Sequence, residues 1–236
     1  MSETTNPTPA QFDAYAAGYA DEVNKSLAFL GGVKVDYFTR VKAGMMLDLV
    51  AAHFGTGEGL DLLDVGCGVG QFHPLLAPHF GSVTGIDMSA ASVAEAAARN
   101  PQVRYDSYDG AALPYPDASF DAAMTVCVMH HVPPAQWPAF AGEMRRVVKP
   151  GGLIAVFEHN PANPLTLRVV NNCEFDADAV LLRQRQVRDL LSGAGCRDVR
   201  SRAILSIPSS GPLTRRIDRA LGRIGLGAQY FAVGTA

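Results

Sequence analysis

Gly66, Gly68 and Gly70 alternate in the run Leu62-Leu63-Asp64-Val65-Gly66-Cys67-Gly68-Val69-Gly70, where a short apolar segment turns into a loop. Glycines at that spacing allow a tight turn, let a ligand press against the backbone and present free N–H groups at the start of the amphipathic helix expected next. The run Ser82-Val83-Thr84-Gly85-Ile86-Asp87 then ends in an acid. A carboxylate about 20 residues past such a loop is placed to accept hydrogen bonds from the hydroxyls of a ribose. Asp109-Gly110-Ala111 closes the next apolar segment, and His130, His131, Glu158, His159 and Asn160 follow two later ones. The chemistry implied is the binding of a nucleotide-like molecule, with imidazoles nearby that can take up a proton near neutral pH.

These residues need strands to carry them and helices to hold the strands in register. Strands are expected at Leu62 to Val65, Ser82 to Asp87, Val103 to Ser107, Phe120 to Val128 and Leu153 to Glu158, with helical segments between them. That alternation calls for a parallel sheet covered on both faces. Gln136 to Val148 reads as a helix stopped by Lys149-Pro150-Gly151-Gly152, which turns the chain before strand five. Residues 11–54 read as helical, with Gly31-Gly32 as a break and a second amphipathic run from Tyr37 to Phe54. Beyond residue 160, short helical segments are expected at Leu165 to Asn172 and Asp178 to Leu182, and a longer helix at Gln184 to Ala194. A strand at Arg200 to Ile207, a helix at Pro212 to Ile224 and a strand at Ala228 to Val233 complete the chain.

A chain of 236 residues suits one α/β domain with a sizeable core, and its 48% hydrophobic and 18% charged residues fit a folded globular protein. A net charge of −3 gives no overall attraction to nucleic acid and favours a small-molecule partner. The polar opening Met1 to Ala10 has the character of a disordered tail rather than a signal peptide, and no apolar stretch is long enough for stable membrane insertion. The four cysteines, Cys67, Cys127, Cys173 and Cys196, show no zinc or redox spacing, so a cytoplasmic, reduced chain with no metal is expected.

The pieces LLDVGCGVG, GIDMS, YDGAALPYPDASFDAAMTVCVMHHV and RRVVKPGGLIAVFEH stand in order between residues 62 and 159. Together they resemble the class I S-adenosylmethionine-dependent methyltransferases, specifically the small-molecule branch with a UbiE-like core. The resemblance implies an α/β, Rossmann-like doubly wound seven-stranded sheet, mostly parallel with a final antiparallel strand, plus an N-terminal helical cap over residues 11–55. It implies a cofactor-binding core over 60–159 and an acceptor-side insertion with the last strands over 160–236, all in one domain. S-adenosyl-L-methionine is the implied cofactor, its methionine half facing Asp64, Gly66, Cys67, Gly68 and Gly70, its ribose Asp87, and its adenine Asp109 and Gly110. Met88 and Val128 complete the implied wall, with Tyr15 and Tyr19 from the cap; packing of these aromatics onto the sheet is the other reading. The residues themselves agree in part: a pyrophosphate cradle usually has Gly-x-Gly-x-x-Gly, whereas Gly66-Cys67-Gly68 is followed here by Val69-Gly70-Gln71-Phe72. Asp64 before the loop would repel a pyrophosphate, but can hold an α-ammonium group or the loop itself.

Methyl transfer is an in-line displacement from a sulfonium, so the protein has to align two atoms and accept a proton. His131 and His159 are the candidate bases, His131 favoured because it follows strand four; the plainer reading has His130 capping a helix and His159 bonded to the Asn160 to Asn163 loop. A zinc site from these histidines lacks a third ligand at a readable spacing. Val132-Pro133-Pro134-Ala135 replaces the Asn/Asp-Pro-Pro-Tyr expected for methylation of nucleic-acid bases, and Cys127 reads as a small core residue of a buried strand, Cys67 as loop packing. Arg215, Arg216, Arg219 and Arg223 share one face of the helix expected at Pro212 to Ile224, either solvated or attracting an anionic substrate, carrier or lipid surface. Two other functions stay open at this point: a non-catalytic S-adenosylmethionine-binding interaction module, and an NAD(P)-dependent oxidoreductase.

Overall fold

In the computed structural model the described residues are 35–205 and 227–236, together with Asp13, Lys25 and Gly225. Helix α1 (Val35–Phe54) leads into β1 (Asp61–Val65), a short α2 (His73–Leu76), β2 (Ser82–Asp87), α3 (Ala90–Arg99), β3 (Arg104–Ser107) and β4 (Phe120–Val126). Then come α4 (Trp137–Val147), β5 (Val148–His159), α5 (Pro164–Asn171), α6 (Gln184–Gly193), β6 (Arg197–Ile204) and β7 (Gln229–Thr235). The strands form one seven-stranded sheet in the order β3-β2-β1-β4-β5-β7-β6. All pairs are parallel except those of β7, which runs antiparallel to both β5 and β6.

Alternation along the central strands divides the core into two layers. Leu63, Val65, Ala123, Ile154 and Val156 join the layer built on Met144 of α4 and Leu191 of α6. Leu62, Ala122, Met124, Leu153, Ala155 and Phe157 join the layer built on Met46 and Val50 of α1. Side chains on a strand point alternately to opposite faces, so a strand covered on both sides reads as a continuous apolar run. Helix starts use local chemistry: the Ser89 Oγ accepts from the Ser92 amide at 3.0 Å to open α3, and Asn163 Oδ1 accepts from the Leu165 and Thr166 amides ahead of α5.

Several expectations change. The amphipathic helix after the glycine loop is only the four-residue α2 and a 3-10 turn, Ala77–His79, because Pro78 has no amide with which to continue the helix; Pro74 lies in the first turn, where no amide is needed. β4 ends at Val126, so Cys127 is not in the strand: it adopts φ +57° at the strand's carboxyl end. Lys149 to Gly152 belongs to β5 rather than preceding it, with Val148 paired to Phe120 and a register shift that absorbs the turn at Gly151, φ +82°. No helix forms over Asp178 to Leu182; the 3-10 turn falls earlier, at Glu174–Asp176. β6 starts at Arg197 rather than Arg200. The helix expected over Pro212 to Ile224, with its arginine face, lies outside the described residues, as do Tyr15 and Tyr19. Among the described residues no helix is long and apolar enough to cross a membrane.

Met46 is fully buried on α1 while Asp48, two residues on, is exposed. Met46→Ala should therefore cost about 2–5 kcal/mol in urea unfolding and Asp48→Ala less than about 0.5 kcal/mol. Equal, small effects would mean that α1 is not docked on the sheet.

Candidate active site

The loop after β1 is pinned to the end of β2. The amides of Gly66 and Cys67 both donate to the Ile86 carbonyl, at 2.8 and 3.1 Å, and the Gly68 amide donates to Asp87 Oδ2 at 2.8 Å. Gly66, Gly68 and Gly70 all have positive φ, which a side chain rarely tolerates. They differ in what surrounds them. A Cβ on Gly66 would collide with the Val128 side chain, and one on Gly70 would stand 2.5 Å from Tyr105 Oη, whereas nothing lies within 4 Å of one on Gly68. The open side of the loop is thus at Gly68, where a ligand can lie on bare backbone.

Asp64 is 1% exposed. Its Oδ2 lies 3.1 Å from His73 Nε2, and His73 Nδ1 lies 2.5 Å from Tyr105 Oη, which also accepts from Asn100 Nδ2 at 3.1 Å. Asn100 Nδ2 donates to the Gly70 carbonyl as well, so this chain of polar groups ties the loop to α2, α3 and β3. Asp64 Oδ1 has no hydrogen-bond partner among the described residues. Burial pushes the Asp87 carboxyl up from its ordinary value, against the pull of the Ser89 and Gly68 amides. Burial, then Asp64 and Asp87, push the Cys67 thiol well up, so Cys67 stays a neutral packing residue. Asp109 Oδ1 accepts from the Ala111 amide at 2.9 Å, leaving its outer oxygen in solvent, and Gly110 sits by Met88. Asp13 reaches the same edge: its Oδ1 accepts from Ser89 Oγ at 2.5 Å and from the Ala91 amide at 3.2 Å.

On the other side of the loop, the turn after β4 is organised by Glu158. This 1% exposed carboxylate accepts from the amides of Val128 (3.1 Å) and Met129 (2.8 Å) and lies 2.5 Å from His130 Nδ1. Burial alone would raise Glu158, but the His130 cation bonded to it outweighs burial and holds the carboxyl below its usual range. Burial would likewise lower His130, yet Glu158 and Asp176 hold it well above the ordinary imidazole value. His131 moves the other way: burial, then the charge on His130, push it down to about 3. An imidazole of such low proton affinity is a weak base. Its ring packs edge-on against Phe175 at 4.8 Å.

His159 lies with Cys127, Lys42 and Gln229. Gln229 Nε2 is 3.4 Å from His159 Nδ1 and 3.6 Å from Cys127 Sγ, and Lys42 Nζ is 3.7 Å from the same sulfur. The bond foreseen from His159 to the Asn160 loop is not made; Asn160 Nδ2 instead donates to the carbonyls of Gly225 and Gly227, at 2.8 and 2.7 Å. Lys42, 8% exposed, also stands 5.5 Å over the Phe72 ring. Burial would raise the Cys127 thiol, but the Lys42 ammonium and then His159 bring it down to about 7. Lys42, Cys127 and Asp176 escape a reading from motifs alone. The one signal for Lys42 was a cation in the buried stripe Thr39, Ala43, Met46, Val50 of α1.

Fold and loop together define a Rossmann-like domain built for a nucleoside-type cofactor. A family model described as a methyltransferase domain matches residues 63–156. A 24-methylenesterol C-methyltransferase 2 of Oryza sativa is 33% identical over 200 residues, covering 79% of this chain and 53% of its own. A ubiquinone biosynthesis O-methyltransferase of Methylobacterium nodulans is 32% identical over 170 residues, covering 65% of each chain. The solved structure of an S-adenosylmethionine-dependent methyltransferase from Thermotoga maritima superposes with a TM-score of 0.65 at 20% identity, over 95% of this chain and 97% of that one. The [4+2]-cyclase SpnF has the same fold, with a TM-score of 0.58 at 23% identity over 81% of this chain and 79% of its own. Over residues 63–156 the chain is thus similar to methyltransferases, and among its relatives is a probable S-adenosylmethionine-dependent methyltransferase of Mycolicibacterium smegmatis, 34% identical over 128 residues and covering 49% of this chain and 48% of its own. The chain spans about half the length of the first curated relatives it matches.

Cys127 should be the cysteine that reacts first. Alkylation by iodoacetamide followed by mass spectrometry should show Cys127 labelled with a midpoint near pH 7, while Cys67, Cys173 and Cys196, all raised by burial, stay unlabelled there. Lys42→Gln removes the larger of the two lowering charges and should move the midpoint up toward the ordinary thiol value of about 8.5. An unmoved midpoint would remove Lys42 from this account.

Proposed function

We propose that this chain transfers the methyl group of S-adenosylmethionine to a small-molecule acceptor by in-line displacement. The observation that carries the reading is the charge of the loop. The Gly68 amide already holds the Asp87 carboxylate, and Asp64 is buried beneath with an oxygen that no described residue satisfies. An anionic pyrophosphate would meet two carboxylates and a helix, α2, too short to offset them, whereas a cofactor bearing a sulfonium and an ammonium meets charges of the opposite sign. This disfavours the oxidoreductase alternative. Asp87 retains lone pairs for the ribose hydroxyls, since a carboxylate offers about four acceptor sites and the bonds from the Gly68 and Ser89 amides use two of them. Met88 and Gly110 border the adenine in this arrangement, and Val128 the methionine half. The contact of Asp13 with Ser89 supports residues 11–55 acting as a cap over the site.

The acceptor would enter between the loop and the Lys42, Cys127, His159 cluster. Since His131 is pushed to low proton affinity, His159, at the edge of this cluster and bonded to Gln229, takes the role of proton acceptor for a hydroxyl or similar nucleophile, and Lys42 would favour an anionic acceptor. The names of the two curated relatives, a sterol and a ubiquinone-pathway methyltransferase, support an acceptor from the small-molecule class. The interaction-module alternative keeps the cofactor and loses this chemistry.

Calorimetry should show S-adenosylmethionine binding that Asp87→Ala weakens by about 1.5–3 kcal/mol, the scale of hydrogen bonds to a charged group. Tight NAD(H) binding with none for S-adenosylmethionine would refute the reading. With a labelled methyl donor and a panel of small molecules, His159→Gln should lower turnover ~10²-fold or more while cofactor affinity holds. Unchanged turnover would leave alignment of the two atoms as the whole mechanism, and methyl incorporation into no acceptor would favour the module.

A further inference from the structure

The turn after β4 and the 3-10 turn Glu174–Asp176 bring two imidazoles and a carboxylate to one point. His130 Nε2 and His131 Nε2 each lie 3.5 Å from Asp176 Oδ1, and the three ligand atoms lie within 4.8 Å of one another. We propose that His130, His131 and Asp176 form a binding site for one divalent transition-metal ion of the zinc type, with Glu158 orienting His130 from behind. The site adjoins the proposed acceptor side, with the His130 ring centroid 5.1 Å from that of His159, but it does not depend on the methyl-transfer reading.

Distance is the first argument. A direct N–H···O bond spans about 2.7–3.2 Å, so 3.5 Å is long for one. Two ligands of a tetrahedral ion with bonds of about 2.0–2.1 Å stand about 3.3–3.4 Å apart, which is close to both observed separations. Orientation is the second. Glu158 Oε2 lies 2.5 Å from His130 Nδ1, so that nitrogen is the donor to Glu158 and Nε2 is the one turned toward Asp176, where a bound ion would take the place of the Nε2 proton. His131 repeats the pattern more loosely, with Nδ1 4.0 Å from Asp178 Oδ1 and Nε2 facing Asp176. A carboxylate behind the non-ligating nitrogen is the usual companion of a metal-bound imidazole.

Rigidity and charge complete the case. The three side chains are 1%, 7% and 9% exposed, so the groups are held in protein rather than swept by solvent. Trp137 Nε1 donates to the carbonyls of Met129 and Val132, and the Val180 amide donates to the His130 carbonyl at 2.8 Å, which fixes the turn against the loop that carries Asp176. Two carboxylates, Asp176 and Glu158, are enclosed here beside two imidazoles. A proton on His130 offsets one of those charges, and a divalent ion offsets both. Two nitrogens and one oxygen suit zinc or another first-row ion, and disfavour magnesium and calcium, which take oxygen. The third ligand comes from the segment after α5, which is why spacing around His130 and His131 did not disclose it.

The test uses the full chain, stripped with a chelator and titrated with Zn²⁺ by calorimetry, and with Co²⁺ by visible absorption. The expected result is one ion per chain, with affinity reduced more than ~100-fold in Asp176→Asn and in His131→Gln, and ~10–100-fold in Glu158→Gln. Thermal melting of each variant reports whether it folds. For a variant that does not, the Co²⁺ spectrum of the unaltered chain decides: intense four-coordinate d–d bands without thiolate-to-cobalt charge transfer are expected. Absent or non-stoichiometric Zn²⁺ binding, binding untouched by Asp176→Asn in a folded variant, or a thiolate band implicating Cys127 would each overturn the assignment.

Discussion

The buried carboxylate of Glu158 is the group on which both halves of the site depend. It comes from β5 and closes on the amides of Val128 and Met129 and on the ring of His130. Val128 in turn fills the space beside Gly66, so the cofactor loop takes its shape from a turn that Glu158 holds. A charge buried to this degree survives only with partners to replace water, and taking one partner from such a pair commonly costs about 3–5 kcal/mol. The same contacts that make Glu158 tolerable in the core therefore fix the carboxyl end of β4, where the sheet opens to a ligand.

Electrostatics then divides the opening. The loop side carries Asp64 and Asp87, the first buried in a polar chain through His73 and Tyr105, the second bonded to Gly68. The far side carries Lys42, reaching in from α1 to the sulfur of Cys127. A cationic cofactor and an anionic or deprotonated acceptor would each meet the opposite charge, and in a site this enclosed such interactions act at lower dielectric than in water. His131, close to the cation of His130 and out of water, contributes shape and a neutral nitrogen rather than basicity.

How much was legible follows from how local each signal is. The strands β1, β2 and β5 and the glycine loop were readable because continuous apolar runs and positive-φ glycines are properties of short segments. The helix after the loop is shorter than its apolar spacing suggests because Pro78 cannot donate the bond that would continue it. The end of β4 is not local in this sense, since nothing in Met-Thr-Val-Cys-Val marks where pairing with β5 stops and the chain turns through φ +57° at Cys127.

By itself the amino-acid sequence determined the doubly wound sheet, the position of the cofactor loop and the candidate histidines. Only the tertiary structure decided what those histidines are. His130 and His131 are adjacent and chemically identical in the sequence, yet one is held as a cation by Glu158 and Asp176 and the other is kept neutral by burial and by its neighbour's charge. The partners that set this difference come from β5 and from the turn after α5, and Lys42 meets Cys127 across 85 residues of chain. Proton affinity depends on distance and burial in space, and these exist only once the sheet has brought its carboxyl ends together.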